Sequence, residues 1–264
     1  MRIATFNVNS IRSRIDRVEG LLERHDIDVL AIQETKARDD QWPVMGLEAL
    51  GYEVATLGYD QWNGVALASR VGLSDVHRGF EGMPQWGEPL ASEARALGAT
   101  CGGVQVWSLY VPNGRKPGDP HFVYKLAWLD RLHAAAADWL AEDPSAQIAL
   151  TGDWNIAPLD DDVFDISRFA NSTHVTPEER KAFQAFLDSG YVDVVRPFAP
   201  GPGVYTYWDY YRQRFERNRG MRIDFILGSP ALAARVTGAV IDREERAGTG
   251  ASDHAPVIVD VASR

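Results

Sequence analysis

The sequence predicts a layered α/β domain, and three observations carry that prediction. Apolar, β-rich runs of about four to eight residues alternate with stretches whose apolar residues recur at helical spacing. The runs lie far apart along the chain, which favours layers of sheet and helix over consecutive hairpins. Most of them end in a polar cluster, which suggests that one edge of the assembly gathers the chemistry. No Ser/Gly linker, fixed-period repeat or low-complexity stretch divides the chain, so residues 1–264 are read as one domain.

Taken in order, Ile3–Val8 is the first run and leads into Asn7 and Asn9. Ile15, Val18, Leu21 and Leu22 then fall on one helical face. The second run, Asp28–Gln33, stops at Glu34, and Val104–Val111 carries Tyr110. From His121 to Ala141, the residues Leu126, Leu129, Leu132, Ala136 and Leu140 mark another helical stripe. Ile148–Thr151 runs into Asp153 and Asn155. Thr176, Pro177 and Glu179 form a helix start with a reciprocal capping Glu, Phe183, Phe186 and Leu187 supply its buried side, and Gly190 stops it. Ile223–Leu227 contains Asp224, Ser229-Pro230 opens a short helix, and Val257–Val261 follows Asp253-His254.

Composition narrows the class. The 264 residues are 45% hydrophobic and 24% charged, which is globular and not disordered. No apolar run reaches the ~18–20 residues of a membrane span, and the start turns polar too soon for a secretion signal. Cys101 is the sole cysteine and cannot form an intramolecular disulfide, so a reducing, cytoplasmic setting is expected. The net charge of −10 argues at first against a polyanionic partner. Binding, however, depends on where charge sits. Residues 205–222 interleave aromatics with five arginines and only two acids, and Arg12, Arg14 and Arg17 form a smaller patch. The expectation is a basic face on an acidic body, with affinity that falls as salt rises.

Four clusters can carry chemistry. Glu34, at a strand end, offers an oxygen ligand to a hard cation, though a solvated loop Glu is the plainer alternative. Asp153 and Asn155 lie two apart, so on extended chain they face one side; the alternative is a turn in which both bond their own backbone. His254 beside a phosphate needs a carboxylate to orient it and keep it cationic. Asp224, inside an apolar strand, needs such a partner. The Arg/aromatic segment suits a nucleic-acid backbone with a displaced nucleotide, or is a surface loop with some core aromatics. Asp160, Asp161 and Asp162 read as a solvated acidic loop, and His25, His77, His121, His133 and His174 as surface or loop residues. Zinc spacing, a P-loop, a dinucleotide turn and a Gly-x-Ser-x-Gly elbow are all missing, so nucleophilic Ser or Cys catalysis has little support.

In register from residue 5 to 256, the chain resembles the exonuclease III family of apurinic/apyrimidinic endonucleases, within the DNase I-like endonuclease/exonuclease/phosphatase superfamily. The pieces that carry the resemblance are Phe6-Asn7-Val8-Asn9, Gln33-Glu34-Thr35-Lys36, Asn63-Gly64-Val65-Ala66 and Leu109-Tyr110-Val111-Pro112-Asn113-Gly114. Gly152-Asp153-Trp154-Asn155, Tyr207-Trp208-Asp209-Tyr210, Asn218-Arg219-Gly220-Met221-Arg222-Ile223-Asp224 and Ser252-Asp253-His254-Ala255-Pro256 complete them.

The resemblance implies a four-layer α/β sandwich, two packed β-sheets flanked by helices. It implies Mg²⁺-dependent hydrolysis (Mn²⁺ as a substitute) 5′ to abasic sites in double-stranded DNA, with 3′→5′ exonuclease and 3′-phosphatase or phosphodiesterase activity at 3′ ends. It assigns the metal to Glu34 with Asp253 nearby, the water to Asp153 with Asn155 beside it, and the phosphate to His254 paired with Asp224. Asn7 braces the network, Tyr110 contacts the phosphate or leaving group, and Asn113 contacts the phosphate. Tyr207, Trp208 and Met221 fall where the family builds its sugar pocket, with Arg219 on the substrate side.

Met221 replaces a bulkier aromatic or Leu of many relatives, which leaves the stringency of the pocket open. Asn9 replaces the Asp of some, removing one possible metal-site carboxylate, so one essential metal is expected and a second is left open. A same-fold phosphatase of inositol phosphates or phosphodiesterase of sphingomyelin is the first rival, opposed by the arginine/aromatic segment. A catalytically silent DNA-binding protein is the second, opposed by the filled catalytic positions. A monomer without membrane contact is the default.

Overall fold

The computed structural model describes residues 1–263 and contains two six-stranded sheets packed face to face. The chain begins with β1 (Arg2–Asn7), α1 (Ile15–His25), β2 (Val29–Gln33), α2 (Val44–Ala49), β3 (Glu53–Leu57) and β4 (Val65–Ser69). It continues with β5 (Ser74–Arg78), β6 (Ala96–Cys101), β7 (Val104–Tyr110), α3 (Pro120–Glu142), β8 (Ile148–Asp153) and α4 (Pro177–Asp188). β9 (Val192–Asp193), β10 (Asp224–Gly228), α5 (Pro230–Ala233), β11 (Val236–Ile241) and β12 (Val257–Val261) complete it.

The first sheet runs β11-β12-β1-β2-β4-β3 and the second β5-β6-β7-β8-β10-β9. Only β1–β2 and β7–β8 pair in parallel. Small and branched side chains fill the seam, with Ile3, Ala31 and Leu67 facing Ala99, Val106 and Ile226. α1 and α2 cover the outside of the first sheet through Val18, Leu21, Leu22 and Leu47. α3 covers the second with Trp128 and Leu132, and α4 with Phe183 and Phe186. This is the layered α/β class expected from the residues and the four-layer sandwich implied by the family resemblance. Each fully buried side chain of this size contributes roughly 1.5–3 kcal/mol of burial free energy.

The central strands are buried on both faces and therefore read as unbroken apolar runs. Their ends shift by a residue or two from expectation, and β8 extends to include Asp153. Strands β3–β6, β9 and β11 and helix α2 are not among the elements expected from the sequence. Strand β5, Ser-Asp-Val-His-Arg, is an exposed edge without an apolar run, while β4 and β6 are rich in alanine, a weak strand former. Helix α3 starts at Pro120, where Asp119 accepts the His121 N–H at 2.8 Å. Its buried face is rotated from the expected stripe, taking in Tyr124, Lys125 and Trp128 while Leu126 and Leu140 sit half-buried at the margin.

The acidic run is also corrected in part. Asp160 and Asp161 are exposed, but Asp162 is fully buried and pairs with Arg196 and Arg222. No helix among the described residues is long and apolar enough to cross a membrane.

Candidate active site

Strand register delivers the polar strand ends to one edge of the seam. Parallel pairing of β1 and β2 sets Asn7 beside Gln33, so Glu34 emerges next to Asn7. On the second sheet Tyr110, Asp153 and Asp224 stand side by side on β7, β8 and β10. β12 is antiparallel to β1, so the loop before it brings Ser252, Asp253 and His254 to the same edge. A polar bridge fastens the two sheets just below. The Gln33 amide donates to Ser108 Oγ at 2.9 Å, and Ser108 Oγ donates to Ile32 O at 2.8 Å.

Two glycines make the approach feasible. Gly152 has φ +145°, and a Cβ there would sit 1.9 Å from Leu109 O, which explains a glycine directly before Asp153. Gly64 has φ +93° and faces Thr35 Oγ1 at 2.1 Å from an added Cβ, letting the loop after Glu34 pack on Asn63-Gly64. Glu34, Asn155 and His174 themselves adopt positive φ of 56°, 49° and 81°. Such conformations persist in non-glycine residues only where surrounding contacts enforce them.

The Asn7 amide links the halves, donating to Glu34 Oε2 and to Asp153 Oδ2, each at 2.9 Å. The other oxygen of Asp153 accepts the Asn155 N–H at 2.9 Å, so the turn alternative is realised for Asp153, while the Asn155 amide donates to Val111 O at 2.9 Å. His254 Nδ1 donates to Asp224 Oδ2 at 2.8 Å, and its Nε2 lies 3.8 Å from Asp153 Oδ2. Ser252 Oγ donates to Asn7 O at 2.7 Å and accepts the His254 N–H at 3.2 Å, tying the His loop to β1.

Charge follows from this packing. Burial works against a cationic His254, but Asp224 and Asp153 outweigh it and raise its pKa to about 10. Burial also pushes Asp153 up; His254 pulls it back and Asp224 pushes it up again, leaving it at about 7. The Tyr110 phenol is held protonated by burial and by Glu34, and Arg95 stacks 4.9 Å from its ring centroid.

Asp153, Asp224 and His254 converge closely enough to suggest a metal site. A cationic imidazole bonded to a carboxylate is nevertheless not a ligand, since it has no free lone pair to offer. The carboxylates that could instead offer oxygens to a hard cation are Glu34, Asp153 and Asp253, beside the Asn7 amide, with the Lys36 ammonium 2.9 Å from Glu34 Oε1. These oxygen donors, with no thiolate among them, fit Mg²⁺ or Mn²⁺. Asn9 donates to Asp253 Oδ1 at 3.1 Å and so anchors the carboxylate that an Asp at this position would repel.

Glu34, Tyr110, Asn113, Asp153, Asn155, Asp253 and His254 line a cleft of about 290 Å³. An adjoining recess of about 330 Å³ shares Tyr207, His174 and Met221 with it as a common wall. Phe164 and Phe169 line the recess, with Arg214 and Arg219 also facing it. Trp208 is a correction to the expected pocket. It is 1% exposed, packs on Tyr205 and Ala255, and donates from Nε1 to Asn218 Oδ1 at 3.1 Å, behind the wall and not on it. Gly220 lets the indole lie there, because a Cβ would meet Nε1 at 2.6 Å.

The arginine patches divide in the same way. Arg222 turns inward to Asp193 at 2.7 Å, and Arg17 pairs with Glu245 at 2.7 Å, so neither is free for substrate. Arg212, Arg214 and Arg219 line a further hollow beside the recess together with Arg168.

Two histidines are placed differently from expectation. His174 Nε2 lies 3.2 Å from Asn155 Oδ1 and 3.3 Å from Asn113 Nδ2, in the cleft wall. His121 is buried and its Nδ1 accepts the Gly114 N–H at 3.1 Å. Neither ends an apolar run, and the only sequence cue for His174 was its place just before the Thr176 cap. Burial lowers His121 to about 4, helped by Arg95 and Arg115, and lowers His174 to about 3, helped by Lys125. Both are neutral when folded but take up protons when unfolded near pH 6.5, so stability is full above about pH 6.5 and is lost as pH falls toward 4. These two histidines should therefore lower urea midpoints between about pH 7 and 4.5, against the opposite contribution of Asp153, and the fall should be smaller in His121→Gln. Equal slopes in the two proteins would contradict this.

A buried carboxylate, a histidine held cationic by a second carboxylate and a further set of oxygen donors are the groups that phosphoester hydrolysis calls on. Fold and site thus define a hydrolase of the nuclease class. Residues 4–254 match the endonuclease/exonuclease/phosphatase family, and the chain belongs to it. It is 32% identical to exodeoxyribonuclease III of Haemophilus influenzae, over 97% of this chain and 98% of that protein. Among solved structures it is similar to a 3′ phosphatase from Neisseria bound to a product DNA hairpin, with TM-score 0.93, 36% identity and 100% of each chain covered. An AP endonuclease from Archaeoglobus fulgidus matches with TM-score 0.92, 35% identity and 100% of each chain covered.

Proposed function

We propose that this nuclease is a Mg²⁺-dependent DNA repair enzyme that cuts the phosphodiester 5′ to abasic sites in duplex DNA and processes 3′ ends. The observation that carries the reading is the meeting, at one seam, of Asp153 with the His254–Asp224 pair and with Glu34 through Asn7. Asp153 orients water for in-line attack and takes its proton, which requires the carboxylate form. His254 bonds a non-bridging phosphate oxygen as a cation, and negative charge that builds on that oxygen strengthens the bond in the transition state. The neutral Tyr110 phenol and the Asn113 amide donate to the same phosphate. The P–O3′ bond breaks, leaving a 3′-hydroxyl and a 5′-phosphate. Glu34 and Asp253 would hold Mg²⁺, which when bound would neutralise charge at the phosphate and the departing oxygen.

The recess behind Tyr207 and Met221, lined by Phe164 and Phe169, offers apolar walls that suit a base-less sugar. A second reading, 3′-end processing as the main activity, is favoured by His174. Its ring stands in the wall shared by cleft and recess, where it would crowd an internal abasic sugar more than a terminal 3′ phosphate.

The test sets three duplexes in parallel: one with an internal abasic analogue, one with a 3′-phosphate, one blunt. Incision at the abasic site with Mg²⁺, stopped by EDTA, is the expected result. Processing of 3′ ends alone would select the second reading, and cutting that survives EDTA would refute the metal assignment. The two sheets share one core, which supports a single domain.

A further inference from the structure

We propose that the buried Lys125–Glu179 pair is a positioning device that sets the Asn113, Asn155 and His174 wall of the cleft from inside the helical layer. The inference rests on the reading of that wall as phosphate-binding. Lys125 projects from α3 and Glu179 from α4, and both side chains are 0% exposed. Neither reaches the cleft. A buried ion pair is a poor way merely to join two helices, because apolar residues of similar volume usually do so at least as well.

The further partners of the pair explain it better. Besides Glu179, the Lys125 ammonium donates to Asn155 O at 2.6 Å and to Asn113 O at 3.2 Å, which uses all three of its protons. Glu179 Oε1 accepts the His174 N–H at 2.9 Å and lies 2.6 Å from Thr173 Oγ1. Its Oε2 accepts from the Thr176 N–H at 3.1 Å and from Thr176 Oγ1 at 2.8 Å, the capping box at the start of α4. So Asn113, Asn155 and His174 are each held by a backbone group from behind, while their side chains meet in front within 3.3 Å.

His121, one turn before Lys125, fixes the other face of the Asn113–Gly114 peptide through the Gly114 N–H. Asn155 and His174 have positive φ and would relax without this hold. Phosphate donors displaced by even about 1 Å cost rate on the order of 100-fold, so an anchor of this kind acts on turnover.

The experiment uses the full chain with Lys125→Met and Glu179→Met combined, which removes both charges and leaves neither unpaired. A native circular dichroism spectrum is expected, with kcat on abasic or 3′-phosphate duplex down by about 50-fold or more and KM within about threefold. In ¹⁵N spectra of the protein without DNA, the side-chain amides of Asn113 and Asn155 should move toward solvent-averaged positions. Parental kcat in the folded double variant, or unmoved amides, would overturn the proposal. If the double variant does not fold, Glu179→Gln replaces it, with about a tenfold fall in kcat at unchanged KM expected and parental kcat again overturning it. Should the parent cut none of the DNAs, the nuclease reading of the site fails by itself, and the amide spectra alone decide whether the pair holds the wall.

Discussion

Replacing Asp153 with Asn is expected to slow DNA hydrolysis by about 10²- to 10⁴-fold while duplex affinity stays within a few-fold. The side chain keeps its size, and its oxygen can still accept the Asn155 N–H. What is lost is the proton acceptor, since an amide cannot take a proton from water near neutral pH. The new NH₂ also faces the Asn7 amide, a donor, so the link from Asp153 to Glu34 is weakened as well. Affinity is spared because Arg214, Arg219 and the recess contribute to it independently, and because one fewer negative charge beside a phosphate does not repel it. Single-turnover rates with enzyme in excess, together with fluorescence anisotropy on an abasic duplex, separate the two effects. A variant that cuts within tenfold of the parent would move the base elsewhere.

His254→Gln is the second large effect, a fall on the order of 10²- to 10³-fold in kcat. The imidazole is worth this much because it is held cationic in a buried place, Asp224 and Asp153 outweighing the burial that opposes its charge. Glutamine retains a donor for the phosphate but carries no charge to strengthen the bond as the transition state forms. Asp224→Asn should cost less, because the ring can still donate to the amide oxygen while losing part of its charge. The double variant should be no slower than His254→Gln, since Asp224 acts through the histidine. Losses that multiply in the double variant would mean that Asp224 has a separate role.

How much of this centre could be read beforehand depends on how each residue announces itself. Glu34, Asp153, Asp224 and His254 were legible because each interrupts or bounds a run buried on both faces, where a polar residue has a burial cost to offset. Tyr207 and Met221 were placed through the family resemblance, and they do face the recess. Trp208, carried by the same resemblance, does not, because a one-residue step along extended chain turns a side chain to the opposite face. Arg222 failed for the same reason next to Met221. His174 gave only the cue of its place before the Thr176 cap, in an irregular loop, and Lys125 gave none, reading as an ordinary helix-surface lysine.

The sequence alone therefore determined the layered class, the central strands, the capped start of α4 and the carboxylate and imidazole chemistry, since strand burial, helical period and capping are local patterns. The tertiary structure alone decided which loops meet and which arginines remain free. Sheet orders β11-β12-β1-β2-β4-β3 and β5-β6-β7-β8-β10-β9 join residues as distant as Asn7 and Asp153. Such pairings depend on the free energy of the whole packed seam, to which no single window of sequence has access.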